Sequence, residues 1–145
     1  MPLEAVAINS FDAPIMRDTK SPDELRERIT KLYADYPASQ PDLPTDEPLA
    51  VFEQAFRQGG LLYVGMFNDK PICVVGVFDD GQTDTKRLEY LAVHPENKGR
   101  NIEGKFIKQV YDAEVKKGVK QFMPVDTEIH RIMSEYEMLT ARAWH

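Results

Sequence analysis

Residues 88–106 read Leu-Glu-Tyr-Leu-Ala-Val-His-Pro-Glu-Asn-Lys-Gly-Arg-Asn-Ile-Glu-Gly-Lys-Phe, and they hold the side chains best placed to handle an anion. An apolar strand runs into a proline, then a short basic loop, then an amphipathic helix. The first N–H groups of a helix lack backbone partners and carry the positive end of its dipole, so such a junction cradles anions. Lys98 and Arg100 add charge suited to phosphate. Gly99 and Gly104 let backbone approach an oxygen closely, and Asn101 is the best non-glycine residue where a left-handed turn is needed. Ile102 opens the helical pattern. Glu103 works against the cradle, because a carboxylate in the first turn competes for the same positive end. Its other reading is local: it stabilises its own helix by about 0.3–1 kcal/mol.

The elements that must position these residues follow from periodicity. Ala5–Phe11 alternates weakly and predicts a first strand. Ser21-Pro22-Asp23-Glu24 combines a serine cap, a proline at the first helical position and a capping-box glutamate, with Leu25, Ile29, Leu32 and Tyr36 following at helical spacing. Pro37–Pro48 reads as a loop. A second helix starts near Asp46, carries Leu49, Phe52 and Phe56 inward, and ends at Gly59-Gly60. Strands are expected at Leu61–Phe67 and Ile72–Phe78 around the turn Asn68-Asp69-Lys70-Pro71. Asp79–Thr85 is a polar loop and Arg87–Val93 a strand apolar enough to be central. Ile102, Phe106, Val110 and Ala113 define a third helix closed by Gly118. Val119–Val125 is a further strand. Asp126 or Thr127 caps a fourth helix carrying Ile129, Ile132, Met133, Tyr136 and Leu139. Thr140–His145 leaves room for one short last strand. The order β-α-α-β-β-β-α-β-α-(β) predicts an α/β mixed sheet with helices on both faces, a single domain over residues 1–145.

Composition narrows the function classes. The chain has 145 residues, 42% of them hydrophobic, and a net charge of −6, which argues against a nucleic-acid partner. The segment Lys86–Lys120 nevertheless carries nine basic and five acidic residues, +4, leaving −10 for the rest. A locally basic segment in an acidic protein suits a small polyanion, although a solvated helix face would look the same. Cys73, the only cysteine, lies in the apolar run Ile72-Cys73-Val74-Val75 and reads as a buried small hydrophobe rather than a nucleophile. A single cysteine fits a reducing, cytoplasmic setting. Met1-Pro2-Leu3-Glu4-Ala5 shows no basic region followed by an apolar stretch, so no signal peptide is expected; no apolar run approaches membrane length, and no metal-ligand spacing or nucleophile–base arrangement stands out.

Val93-His94-Pro95-Glu96-Asn97-Lys98-Gly99-Arg100-Asn101-Ile102 resembles the acyl-CoA pyrophosphate loop of the GCN5-related N-acetyltransferase (GNAT) superfamily, whose signature is Arg/Gln-x-x-Gly-x-Gly/Ala. Lys98 stands for the Arg/Gln, Asn101 and Glu103 for the two small residues. The element order is similar over essentially the whole chain, with a shorter C-terminus than the family's final hairpin. The resemblance implies acetyl-CoA in a cleft between splayed central strands. Its pantetheine arm would pair with the backbone of Leu91, Ala92 and Val93, and its pyrophosphate would sit on Lys98 through Gly104. Ser134-Glu135-Tyr136-Glu137-Met138-Leu139 resembles the family's Tyr-Glu-x-Leu-Gly-Phe helix end, whose tyrosine protonates the departing thiolate. Tyr136 is equally well explained as core, since it continues the stripe of Ile129, Ile132 and Met133. Glu89 is the candidate general base, sharing strand parity with Leu91 and Val93 ahead of the cofactor contacts. His94 is a poorer candidate, and His130 is expected to face solvent.

The leading expectation is an acetyl-CoA-dependent N-acetyltransferase acting on an amine of a small molecule or protein, with no metal and no membrane or nucleic-acid partner. A homodimer is compatible with this reading. The alternative is a non-catalytic acetyl-CoA sensor that binds a partner protein. Lys31-Leu32-Tyr33-Ala34-Asp35-Tyr36-Pro37 and Tyr63-Val64-Gly65-Met66-Phe67-Asn68-Asp69-Lys70 are similar to the aspartate decarboxylase maturation factors of this type. A degenerate domain without CoA affinity is a third reading, resting on Asn101 and Glu103.

Overall fold

The computed structural model describes residues 3–12, 23–35, 48–79, 84–94, 102–125 and 127–138. Residues 37–47 of the loop expected at Pro37–Pro48, the helix start expected near Asp46, the basic loop at 95–101, the Ser21-Pro22 cap, Tyr36, Asp126, Leu139 and the last segment 140–145 lie outside the described residues, and Pro48 itself is helical. The elements are β1 (Glu4–Ile8), α1 (Glu24–Asp35), α2 (Pro48–Arg57), β2 (Leu61–Phe67), β3 (Lys70–Asp79), β4 (Thr85–Val93), α3 (Ile102–Lys116), β5 (Gln121–Pro124) and α4 (Thr127–Glu135). Over the described residues this is the expected order.

Local chemistry explains the boundaries. β1 stops at Ile8, short of the predicted Phe11, and the Asp12 N–H then bonds to the Ser10 hydroxyl at 3.1 Å in a side-chain turn. Asn68 and Asp69 both take positive φ, 51° and 63°, so the β2–β3 connection is a two-residue I′ turn and β3 starts already at Lys70. α2 and α3 end on Gly59 (φ 88°) and Gly118 (φ 103°). In each case the following residue donates its N–H back across the last turn, Gly60 to Ala55 O and Val119 to Glu114 O. That second bond takes Val119 into the helix cap, which is why β5 begins at Gln121 rather than Val119.

The sheet has strand order β1-β2-β3-β4-β5. All neighbours are antiparallel except β4 and β5, which are parallel and joined by the α3 crossover. Alternation splits the core into two layers. Tyr63, Cys73, Val75, Val77, Leu88, Leu91 and Val93 pack under α3 and α4, against Phe106, Ile107, Val110, Ile129, Ile132 and Met133. Leu62, Val64, Val74, Phe78 and Ala92 pack under α1 and α2, against Leu25, Ile29, Leu32, Tyr33 and Phe52. Cys73 is buried as expected, and burial followed by the Glu103 charge pushes its thiol pKa up, away from reactive thiolate.

Candidate functional site

β4 is paired on both edges for only part of its length. Thr85–Leu88 faces Gln121–Pro124 of β5, and the last bond across the pair runs from the Val125 N–H to Leu88 O at 3.0 Å. Pro124 lacks a strand donor, and the chain turns away into α4. On its other edge β4 stays paired with β3 through Cys73↔Val93, and the His94 N–H reaches Ile72 O at 2.9 Å. Among the described residues, therefore, one edge of β4 from Glu89 onward faces no strand.

A bulge lies in this stretch. Val74 pairs with Ala92 and Gly76 with Glu89, so Tyr90 and Leu91 together oppose Val75. Tyr90 takes a left-handed φ of 62°, which costs a residue with a side chain about 1–3 kcal/mol and persists only where surroundings enforce it. Here they do. The Tyr33 hydroxyl of α1 donates to Tyr90 O at 2.6 Å. Phe52 stacks on Tyr33 at 5.2 Å and meets the Tyr90 ring edge-on at 5.7 Å.

The bulge corrects the expectation for Glu89. One extra residue between Glu89 and Leu91 reverses the alternation, so Glu89 points to the α2 face while Leu91 and Val93 pack under α3 and α4. Glu89 lines a cavity of about 250 Å³ with Gln54, Phe78, Asp79, Arg87 and Tyr90. Its side chain is 17% exposed. Arg87 Nε lies 3.2 Å from Glu89 Oε2 without hydrogen-bond alignment, and the guanidinium rests over the Phe78 ring at 5.7 Å.

Tyr136 is not core. It is 47% exposed, because the helix stops one residue before it and the stripe of Ile129, Ile132 and Met133 ends there. The Met138 N–H bonds to Met133 O at 2.7 Å and Glu137 takes φ 55°, a Schellman-type stop built without glycine. Tyr136 lines a cavity of about 280 Å³ with Gly104, Lys105, Lys108, Tyr111, Glu137 and Met138. Glu89 and Tyr136 thus line separate cavities, one against α2 and one against α3. His130 is exposed.

Leu91, Ala92 and Val93 are fully buried, so their side chains belong to the core and their backbone is what a ligand could meet. Ile102 packs partly buried on the α3 layer, and Gly104 is buried in the first turn of α3. Glu103 has Oε1 buried, and its charge is felt at Cys73. Lys98, Gly99, Arg100 and Asn101 lie outside the described residues. Periodicity also points to Tyr33: it follows Leu25 and Ile29 at i+8 and i+4 on the buried face of α1, a position that the spacing Leu25, Ile29, Leu32, Tyr36 passes over.

No family model matches the sequence, and no curated protein matches it. Solved structures do match. A GNAT-family protein from Xanthomonas campestris pv. campestris is similar at TM-score 0.62 and 20% identity, over 99% of this chain and 87% of that one. Tetrahymena GCN5 is similar at TM-score 0.63 and 12% identity, over 94% and 76%. A GNAT-family acetyltransferase from Elizabethkingia anophelis with acetyl-CoA bound is similar at 0.58 and 15%, over 92% and 74%. The chain has the GNAT fold. In GNAT terms, the opened β4 edge and the start of α3 coincide with the segment whose sequence resembles the family's pyrophosphate loop. Among the described residues no group of His, Cys, Asp or Glu could hold a metal ion, and no helix is long and apolar enough to cross a membrane.

Proposed function

We propose that the chain transfers an acetyl group from acetyl-CoA directly to an amine. The observation that carries this is the single-sided pairing of β4 beyond Leu88, bulged at Tyr90 and feeding α3. An exposed strand edge recruits an extended ligand through alternating N–H and C=O groups, and the amide-bearing pantetheine arm is such a ligand. Leu91, Ala92 and Val93 would pair with that arm. Lys98, Gly99, Arg100, Asn101, Ile102, Glu103 and Gly104 would surround the pyrophosphate at the α3 N-terminus. The binding of acetyl-CoA by a neighbour of this fold supports the thioester as the substrate.

The cavity on the α2 face opens beside the bulge and receives the acceptor. Its lining brings Asp79 and Glu89 together with Arg87, so the amine meets carboxylates whose charge is largely balanced, and Glu89 takes the proton that the amine must lose. The amine lone pair attacks the acyl carbon and forms the C–N bond. Backbone N–H groups at the bulge stabilise the oxyanion, the C–S bond then breaks, and the thiolate takes a proton from Tyr136 or from water. Release of free thiol from acetyl-CoA with a panel of amines tests this. Amine-dependent release supports it; acetyl-CoA binding without release against any amine favours the second reading.

That second reading is an acetyl-CoA-binding regulator with a protein partner. The specific observation in its favour is that Glu89 and Tyr136 line different cavities.

A further inference from the structure

We propose that Tyr33 is a positioning residue for acyl transfer: its hydroxyl holds the Tyr90 carbonyl and thereby aims the Leu91 N–H at the thioester oxygen. The inference rests on the acetyltransferase reading and adds to it a residue from α1, an element that carries none of the groups proposed for the chemistry.

Three observations carry it. Tyr33 is 1% exposed and its hydroxyl spans 57 residues of sequence to reach Tyr90 O at 2.6 Å. A buried hydroxyl must find a partner, but the partner here is the carbonyl of the one left-handed residue in β4. The peptide joining Tyr90 to Leu91 is trans, so its C=O and N–H point in opposite directions. A carbonyl drawn toward α1 on the α1/α2 face turns the Leu91 N–H away from α1. That peptide lies where β4 has lost β5 and where the acyl group would sit. A donor already oriented before the oxyanion forms needs no reorganisation during reaction, which is how such donors act. The stacked Phe52 ring keeps Tyr33 from swinging aside.

Tyr33→Phe tests this, because it keeps the ring and its packing and removes only the hydroxyl. The comparison is Ile29→Val on the same buried face of α1, which lowers stability without touching the bulge. Steady-state kinetics should show kcat falling on the order of tenfold or more in Tyr33→Phe, less than the full loss expected for deleting a donor outright. KM for both substrates and the acetyl-CoA dissociation constant should hold. Ile29→Val should keep kcat. The Leu91 amide proton resonance should shift in ligand-free Tyr33→Phe and lose its wild-type response to acetyl-CoA. Wild-type kcat in Tyr33→Phe, an unmoved Leu91 amide, or an equal kcat loss in Ile29→Val each overturns the inference while leaving the acetyltransferase reading standing. Absence of any transfer by the wild-type protein overturns that reading and the catalytic role of Tyr33 with it.

Discussion

Glu89 sits near the middle of a buried strand, yet its carboxylate borders a cavity rather than the core, with Arg87 Nε 3.2 Å away. Glu89→Gln keeps the shape and removes the proton acceptor, so kcat should fall by about 10²–10⁴-fold with acetyl-CoA affinity unchanged. Turnover equal to wild type in a rapid thiol assay would hand the base role to water. Tyr136 is the mirror case. Its exposure means that Tyr136→Phe should leave thermal stability nearly untouched, and turnover should drop on the order of 10²-fold if the hydroxyl protonates the thiolate. An unchanged rate would leave the cavity beside α3 with no part in the chemistry. Glu103→Gln removes a negative charge from the first turn of α3 while keeping helix propensity. Acetyl-CoA should then bind up to about fivefold tighter, the equivalent of 0.3–1 kcal/mol, as read by calorimetric titration. Weaker binding by a folded variant would mean that Glu103 contacts something other than phosphate. At this scale the sequence disclosed residue types but not their directions. Period-two alternation put Glu89 with Leu91, and nothing about Tyr90, a bulky aromatic, signals a left-handed conformation.

α3 is tied to the sheet at two places along its length. Gln109 Oε1 accepts the Ala5 N–H at 2.7 Å while its Nε2 donates to Leu3 O at 2.9 Å, so one side chain stands in for a strand along β1. Further on, the Tyr63 hydroxyl donates to buried Glu114 Oε2 at 2.5 Å, and Lys117 pairs with the same oxygen at 2.8 Å. Burial, the hydrogen bond to Glu114 and its charge all push the Tyr63 pKa up. Tyr63 therefore stays protonated in the folded chain at pH values where an unfolded tyrosine ionises. The unfolded state then binds fewer protons, so stability should decline as pH rises above about 10, with a slope approaching 1.4 kcal/mol per pH unit from this group. Tyr63→Phe should flatten that decline in urea melts, while costing about 1–3 kcal/mol at neutral pH because Glu114 loses a buried partner. An alkaline slope identical in both proteins would contradict the assignment. Elements were the most legible level of the sequence. Gly59, Gly118 and the Asn68-Asp69 pair marked ends that the backbone confirms, because each acts through local φ. The short extent of β5 was not legible, since Val119 continues an apolar run but is taken up by the α3 cap.

At the scale of the molecule, identities of 11–20% to solved GNAT structures coexist with full-length similarity. The fold depends on which positions are apolar and how far apart they fall, and many sequences satisfy that pattern. The same tolerance explains why element order could be read from this chain while two of three pyrophosphate-loop signature positions, Asn101 and Glu103, have changed. The sequence stretch Lys86–Lys120, basic within a chain of net charge −6, divides in the fold: Lys86 and Arg87 open β4, Lys116, Lys117 and Lys120 lie at the far end of α3, and Lys105 and Lys108 lie on the first half of α3. The most direct measurement is thermal unfolding of the wild-type chain against acetyl-CoA concentration. A ligand that binds only the folded state adds about 2.7 kcal/mol at one hundred times its dissociation constant, a rise of several degrees in Tm. The opened β4 edge and the α3 N-terminus predict that rise; a Tm that stays fixed at millimolar acetyl-CoA would contradict them.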